Sequence, residues 1–319
     1  MGEFIIMLRN VLMFVALAIP GYILVRAKLL QPAQSGVLSK LLMVLALPFM
    51  IFSGVVKNLT FNAESLLMLL LVAVLGIVCV MVMFFVSAPL TKMEKNQKTK
   101  GMMRFCAVFA NNGFLGIPLA VAVFGADSPV FTVLIVLNII NNVLMYTLGA
   151  YLATGDKANI NLKKAFINPV LIAFVLGCLC NLLKVKNYVP EVITFSDHFS
   201  SIVTPISMTV IGMKLGAVSM GSLFGSRKLY YVSFLKLVLF PAVITAGALL
   251  LQNLPWNLSV ESIILGVFVA YATPTAGLAA TFADEYGGDT ENAVIFTLGT
   301  TVLSVLTIPT LYWLLRLFV

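Results

Sequence analysis

At 319 residues, 61% of them hydrophobic and only 10% charged, with a mean hydropathy of +1.07, this chain lacks the polar surface of a water-soluble globule. It reads as an all-α, polytopic integral membrane protein. A net charge of +8 would suggest nucleic acid in a soluble domain, but the basic residues fall in short loops between apolar stretches, so they orient a membrane protein and no nucleic-acid partner is expected.

About 20 apolar residues cross the hydrocarbon of a bilayer. On that rule ten segments are predicted, near 5–25, 37–56, 66–90, 102–124, 129–153, 166–184, 197–216, 229–252, 261–283 and 291–315. The stretch 4–25 lacks a basic leader and a small-residue cleavage site, so it is read as the first span and not as a signal peptide. The connections carry ordinary turn chemistry, such as Gln31-Pro32, Gly225-Ser226-Arg227 and Gly287-Gly288-Asp289, and none is long enough for a soluble domain. If all ten segments cross, one set of loops and adjoining span ends holds fourteen basic residues: Arg26, Lys28, Lys40, Lys92, Lys95, Lys98, Lys100, Arg104, Lys157, Lys163, Lys164, Lys214, Arg227 and Lys228. The other set holds five: Arg9, Lys57, Lys184, Lys186 and Arg316. Positive residues stay inside. Both termini are therefore expected outside the cytoplasm of a multi-pass protein of the cell membrane.

Segment 4 is interrupted at 109–119, Phe-Ala-Asn-Asn-Gly-Phe-Leu-Gly-Ile-Pro-Leu, and segment 9 at 271–277, Tyr-Ala-Thr-Pro-Thr-Ala-Gly. Paired amides, glycines and prolines do not suit a continuous helix, and irregular backbone at membrane depth survives only against protein or a water-filled cavity. Ten spans divide into two five-helix repeats, 1–160 and 161–319, and an odd number inverts the second relative to the first. Pro48, Gly54 and Lys57 recur as Pro205, Gly212 and Lys214 at offsets of 157, 158 and 157 residues, and Asn111 pairs with Thr273 at 162.

Broken spans meeting near the midplane would place free N–H groups, near Gly113, Gly116 and Pro118 and near Pro274 and Thr275, around a common space that favours an anion. Asn111, Asn112, Thr273 and Thr275 add neutral donors suited to a carboxylate. In segment 5, Asn138, Asn141 and Asn142 share one helical face, which reads equally as interhelical hydrogen bonding or as a polar cavity wall. The stripe Thr297, Thr300, Thr301, Ser304 and Thr307 in segment 10 reads as packing. Lys236, two turns into segment 8, is expected to snorkel to the interface, with a counter-charge to an anion as the other reading. Cys79, Cys106, Cys178 and Cys180 have neither disulfide nor metal spacing, and no nucleotide-binding or nucleophilic constellation is present, so no enzyme and no cofactor are expected. No Asp or Glu is well placed at the midplane, which disfavours a cation antiporter, while a coupling ion, H⁺ or Na⁺, is left open.

These residues resemble the auxin efflux carrier family, which includes plant PIN-type auxin exporters and bacterial malate and malonate permeases. The Asn-x4-Gly-Ile-Pro-Leu motif of the PIN-type proteins matches Asn111, Gly116, Ile117, Pro118 and Leu119; their Ala-x-Pro and Phe-Ala-x-Glu-Tyr match Ala272, Pro274, Phe282, Ala283, Glu285 and Tyr286. The resemblance implies a carboxylate bound where segments 4 and 9 cross, a mobile domain of spans 3–5 and 8–10, a dimerising scaffold of spans 1, 2, 6 and 7, and elevator-type movement. Ala110 stands where the PIN-type proteins have Pro, and Asn112 offers a second amide. The long plant loop between spans 5 and 6 is reduced to 154–165, so a small carboxylate such as malate or malonate is expected as substrate in place of auxin. A sodium-coupled organic anion symporter of the bile-acid type, and less so a membrane metabolite sensor, are the alternatives.

Overall fold

The computed structural model describes residues 2–155, 167–253 and 259–319. The expected repeat boundary at 160/161 and Lys157, Lys163 and Lys164 of the basic set lie outside the described residues. In chain order the main helices are α1 (Gly2–Arg26), α2 (Gln34–Asn58), α3 (Ala63–Leu90), α4 (Gln97–Val108), α5 (Asn112–Phe124), α6 (Pro129–Thr154), α7 (Pro169–Leu182), α8 (Glu191–Gly216), α9 (Arg227–Asn253), α10 (Val260–Ala272), α11 (Ala279–Glu285) and α12 (Thr290–Leu315), with short turns of helix at Val185–Tyr188 and Met220–Phe224. Among the described residues seven helices (α1, α2, α3, α6, α8, α9 and α12) are long and apolar enough to cross a membrane, and α5, α7 and α10 are shorter apolar helices. Predicted segments 4 and 9 are each two helices around a break: α4 and α5, α10 and α11.

Helix starts follow local chemistry. Asn62 accepts from Ser65 N at 2.7 Å, Asn168 from Leu171 N at 2.9 Å, and Ser128 from Val130 N at 3.2 Å, the last two just ahead of Pro129 or Pro169 in the first helical turn, where a missing N–H is harmless. Outward faces carry exposed apolar side chains such as Leu70, Phe85 and Leu306, as a lipid-facing surface requires.

Contacts between helix ends sort them into two sets. At one end Lys57 pairs with Asp197 at 2.7 Å, Ser53 donates to the same carboxylate, Asn58 donates to Ala126 O, and Arg316 pairs with Glu261. At the other, Arg26 donates to Val218 O at 3.2 Å, Tyr231 to Leu90 O at 2.6 Å and Thr99 to Asp289 at 2.6 Å. There Lys228 also pairs with Glu94 and holds that carboxyl below its ordinary range.

Two sets of helices can be distinguished by packing. In one, α1 lies on α8 and α2 on α7 and α8; in the other, α6 is flanked by α3 and α10, and α12 by α4, α9 and α11, while α1 also lies on α12 and joins the two sets. The α1–α8 seam is held close by glycine. A Cβ on Gly212 would stand 1.9 Å from Ala18 O and one on Gly21 2.1 Å from Thr209 O, an approach that side chains at either position would forbid.

Four helices contain one wide, i→i+5 turn each: Leu42–Ala46 in α2, Asn112–Gly116 opening α5, Met145–Gly149 in α6 and Leu235–Leu239 in α9. Three of these end two residues before a proline, Pro48, Pro118 or Pro241. A proline has no N–H to donate and its ring crowds the preceding turn, so the ladder widens there. All four turns lie around the breaks, where such distortions are often functional.

Candidate functional site

The two breaks, 109–111 and 273–278, lie against each other in an antiparallel bridge between Ala110 and Thr275. Asn111 N donates to Pro274 O at 2.8 Å, and Ala276 N to Phe109 O at 3.0 Å. Asn141 completes the pairing like a third strand: its Oδ1 accepts from Ala110 N at 3.3 Å and its Nδ2 donates to Ala110 O at 3.2 Å. On the far side Thr275 N donates to Thr300 Oγ1 at 3.2 Å and Thr275 Oγ1 to Cys106 O at 2.8 Å. This corrects one expectation. The N–H groups near Pro274 and Thr275 are not free for an anion, because Pro has none, Thr275 spends its own on Thr300, and the second half-helix begins only at Ala279.

A cavity of about 80 Å³ opens on one face of this crossover, lined by Asn111, Gly113, Asn138, Asn141, Asn142, Gly277 and their neighbours. A water needs roughly 10–15 Å³ by this measure, so several water-sized groups fit. The lining carries no charged side chain. The α5 N-terminus reaches it through Gly113 and Phe114, bringing the positive end of the helix dipole and amides that have no partner within the helix. Met43, Leu47, Asn168 and Val170 close it from the α2–α7 side, so the cavity lies between the two packing groups.

The amides of α6 differ in what they have left to give. Asn142 Nδ2 donates to Asn138 O at 2.8 Å and Asn138 Oδ1 at 3.1 Å, which fixes both side chains. Turning Asn138 over would set one NH₂ against another. Its Nδ2 therefore stays a buried donor with no partner among the described residues, in a residue 2% exposed. Asn111, 6% exposed, also lacks a side-chain partner among the described residues.

Asn112, Gly116, Pro118, Thr273, Pro274 and Thr275 do not line the cavity. Asn112 and Thr273 face each other at 3.1 Å, and Thr273 Oγ1 also lies 3.1 Å from Ala270 O. One hydroxyl proton cannot serve both oxygens. With the Asn112 amide turned over, its Nδ2 donates to Thr273 and the otherwise unpaired nitrogen is satisfied, so Asn112 is a strut between the breaks. Gly116 makes room there, since a Cβ would stand 3.2 Å from Thr273 Cγ2. In α12, Thr297, Thr300, Thr301 and Ser304 bond back to their own helix, and Thr300 also accepts from the second break; the Thr307 hydroxyl has no partner.

One lysine was misread from the sequence. Lys236 does not snorkel: it is 0% exposed, with Nζ 3.4 Å from Tyr271 O. Lys214, counted among the loops and adjoining span ends, lies in the last turn of α8 and reaches 3.2 Å from Gly277 O in the second break. Asn168, which caps α7 and lines the cavity, was not singled out from the sequence.

Crossed, interrupted helices around a polar cavity, inside a bundle of membrane-length apolar helices, are an arrangement found in membrane transporters. A family model described as membrane transport protein matches residues 6–312, and the chain belongs to that family, the one its resemblance to auxin efflux carriers indicated. It is thus a multi-pass membrane protein. An uncharacterized transporter of Methanothermobacter thermautotrophicus is 24% identical over 304 residues, 94% of this chain and 95% of that protein. An uncharacterized transporter of Methanocaldococcus jannaschii is 26% identical over 224 residues, 67% of this chain and 71% of its own length.

Proposed function

We propose that this protein is a secondary active carrier that moves small organic carboxylate anions, such as malate or malonate, across the cytoplasmic membrane. The observation that carries the reading is the unpaired Nδ2 of Asn138 at a cavity that Asn111 and the α5 N-terminus also line, with no acidic group in its wall. Such a site offers hydrogen bonds and a positive dipole to an anion and nothing to oppose it.

In this reading the chain crosses the membrane ten times as two inverted five-helix repeats, the α4/α5 and α10/α11 pairs counting as one span each. The breaks at the fourth and ninth positions and the sorting of helix ends into two sets support that count. The group containing α3–α6 and α9–α12 moves as an elevator against α1, α2, α7 and α8, which scaffold a homodimer. The position of the cavity between the groups is what such a movement needs to open it to alternate sides. The basic set faces the cytoplasm, with both termini outside.

Uptake of radiolabelled malate or malonate into proteoliposomes tests the reading directly, and absence of saturable uptake across a panel of mono- and dicarboxylates would overturn it. A thermal-shift screen identifies the substrate, since a ligand at 100 times its Kd stabilises by about 2.7 kcal/mol. Single cysteines at Gln97 and Gly2, in a chain lacking the native four, test the orientation: an impermeant thiol reagent on whole cells is expected to label the second and spare the first.

A further inference from the structure

Behind the crossover, on the face away from the cavity, lies a charge that the carrier reading does not use. Lys236 sits in the wide turn Leu235–Leu239, fully buried, and that turn packs against α4, α10 and α12. Its ammonium points at Tyr271 O in the last turn of α10, and the turn that carries it also packs on α4, whose last turn holds Cys106. Cys106 O in turn accepts the Thr275 hydroxyl. No carboxylate pairs with Lys236 among the described residues, whose ion pairs include Lys57–Asp197, Lys228–Glu94 and Arg316–Glu261. A lone buried ammonium is costly, and at membrane depth it persists where something negative compensates it. Here that is the C-terminal, carbonyl-bearing ends of the two interrupted helices. The crossover is thus polarised: the α5 N-terminus opens on the cavity, and the C-terminal ends of α4 and α10 converge toward Lys236.

Broken-helix carriers coordinate their coupling Na⁺ with such half-helix C-terminal ends and unwound carbonyls. We infer that this chain has a cation site at the rear of its crossover whose resident cation is its own Lys236 ammonium, so that no free Na⁺ is bound there. A fixed ammonium excludes a second cation from the same carbonyls by like-charge repulsion in a low-dielectric interior. The inference deepens the carrier reading, on which it rests, by assigning the ion of that site.

The test is thermal unfolding of the purified full chain without substrate, so that it stands apart from the carboxylate assignment. The wild-type melting temperature is expected to be the same in sodium, potassium and choline chloride. Lys236→Ala vacates the site and is expected to melt lower, with most of the loss restored by millimolar ethylammonium and part by Na⁺ over choline. Lys236→Met, which fills the space without charge, is expected to melt lower and to respond to neither; Lys236→Arg keeps the charge and is expected to stay within a few degrees of wild type. A Na⁺-specific stabilisation of the wild type would overturn the inference, as would a Lys236→Ala protein that melts like wild type or ignores both cations. If Lys236→Ala does not fold, the Arg and Met variants decide, equal behaviour of the two again overturning it. Failure of malonate uptake with these cation responses intact would count against the carrier's substrate alone.

Discussion

The two faces of the crossover are built from the same few residues and end in opposite states. On the rear face the groups freed by the breaks are paired: Thr275 N with Thr300, Thr275 Oγ1 with Cys106, Asn112 with Thr273, and Tyr271 O with Lys236. On the cavity face Asn141 is committed to Ala110, while Asn138 Nδ2 and the Asn111 amide have no partner among the described residues. A buried polar atom without a partner loses about 1–3 kcal/mol, so a native structure keeps one where something else supplies the bond. In the proposed reading the rear is therefore architecture, and the front is completed by the ligand.

The largest effect is expected where the cavity face carries architecture. Asn141→Leu strips both hydrogen-bonding groups of Ala110 inside a buried bridge, and at about 1–3 kcal/mol for each orphaned group the crossover should lose much of its stability. A sharp fall in melting temperature and in monodisperse yield is the expected outcome. A stable Asn141→Leu protein would mean that the bridge holds without its clamp.

Next come the unpaired amides. Asn138→Ala and Asn111→Ala should each weaken binding of the identified carboxylate tenfold to a hundredfold, the equivalent of about 1.5–3 kcal/mol for a hydrogen bond to a charged group. Stability should change little. Asn138→Ala takes away the longer, 3.1 Å bond from Asn142 Nδ2 to Asn138 Oδ1 but leaves the 2.8 Å one to Asn138 O, and the Asn138 donor it deletes is unsatisfied among the described residues. Full affinity in both variants would leave the α5 N-terminus as the remaining anion donor and erase the distinction between the faces.

How much of this was legible depended on whether the signal was local. The breaks were, because Asn111-Asn112-Gly113 with Pro118, and Thr273-Pro274-Thr275 with Gly277, each spoil a helix by themselves. So was the α6 amide stripe, since i, i+3 and i+4 fix a shared face. The pairing of Ala110 with Thr275 was not, because it joins positions 165 apart and spends the very N–H groups that looked free. The wide turns left a trace in Pro48, Pro118 and Pro241, but a search for regular periodicity does not register one extra residue per turn. Lys236 was misplaced for that reason among others: it lies in such a turn, and distance from a span end said nothing about α4, α10 and α12 closing over it.

A smaller effect is expected at the end of the rear assembly, where Asp289 caps α12 and ties it to α4. Its carboxylate accepts from Thr99 Oγ1 at 2.6 Å, Asn292 Nδ2 at 2.8 Å and Asn292 N at 3.1 Å. Burial alone would raise its pKa, but these bonds outweigh burial and hold it below the ordinary carboxylate range. A depressed folded pKa means that the contribution is present at neutral pH and is lost as pH falls through the folded value. Asp289→Ala should destabilise by about 1 kcal/mol at pH 7, as loss of a helix cap does, and melting curves of mutant and wild type should converge at acid pH below the range of free carboxylates. A gap that persists there would assign the loss to packing.

The smallest effect tests the rear face at its point of contact with the front. Asn112 follows Asn111 in the chain, shares its side-chain chemistry and was its equal as a ligand by sequence, yet it points at Thr273. Interhelical polar contacts in membranes average about 0.6 kcal/mol, because the alternatives open to the freed group are seldom empty. Asn112→Ala should therefore lower stability by about that amount and change carboxylate affinity by no more than about threefold, the same energy expressed as a ratio. Thr273→Val removes the same bond together with its own bond to Ala270 O, so it should cost at least as much, and the double variant should cost no more than Thr273→Val alone. If Asn112→Ala instead lost affinity as steeply as Asn111→Ala, the strut would have to turn toward the ligand during transport, and the division between a finished rear and an open front would describe one conformation of the carrier and not its design.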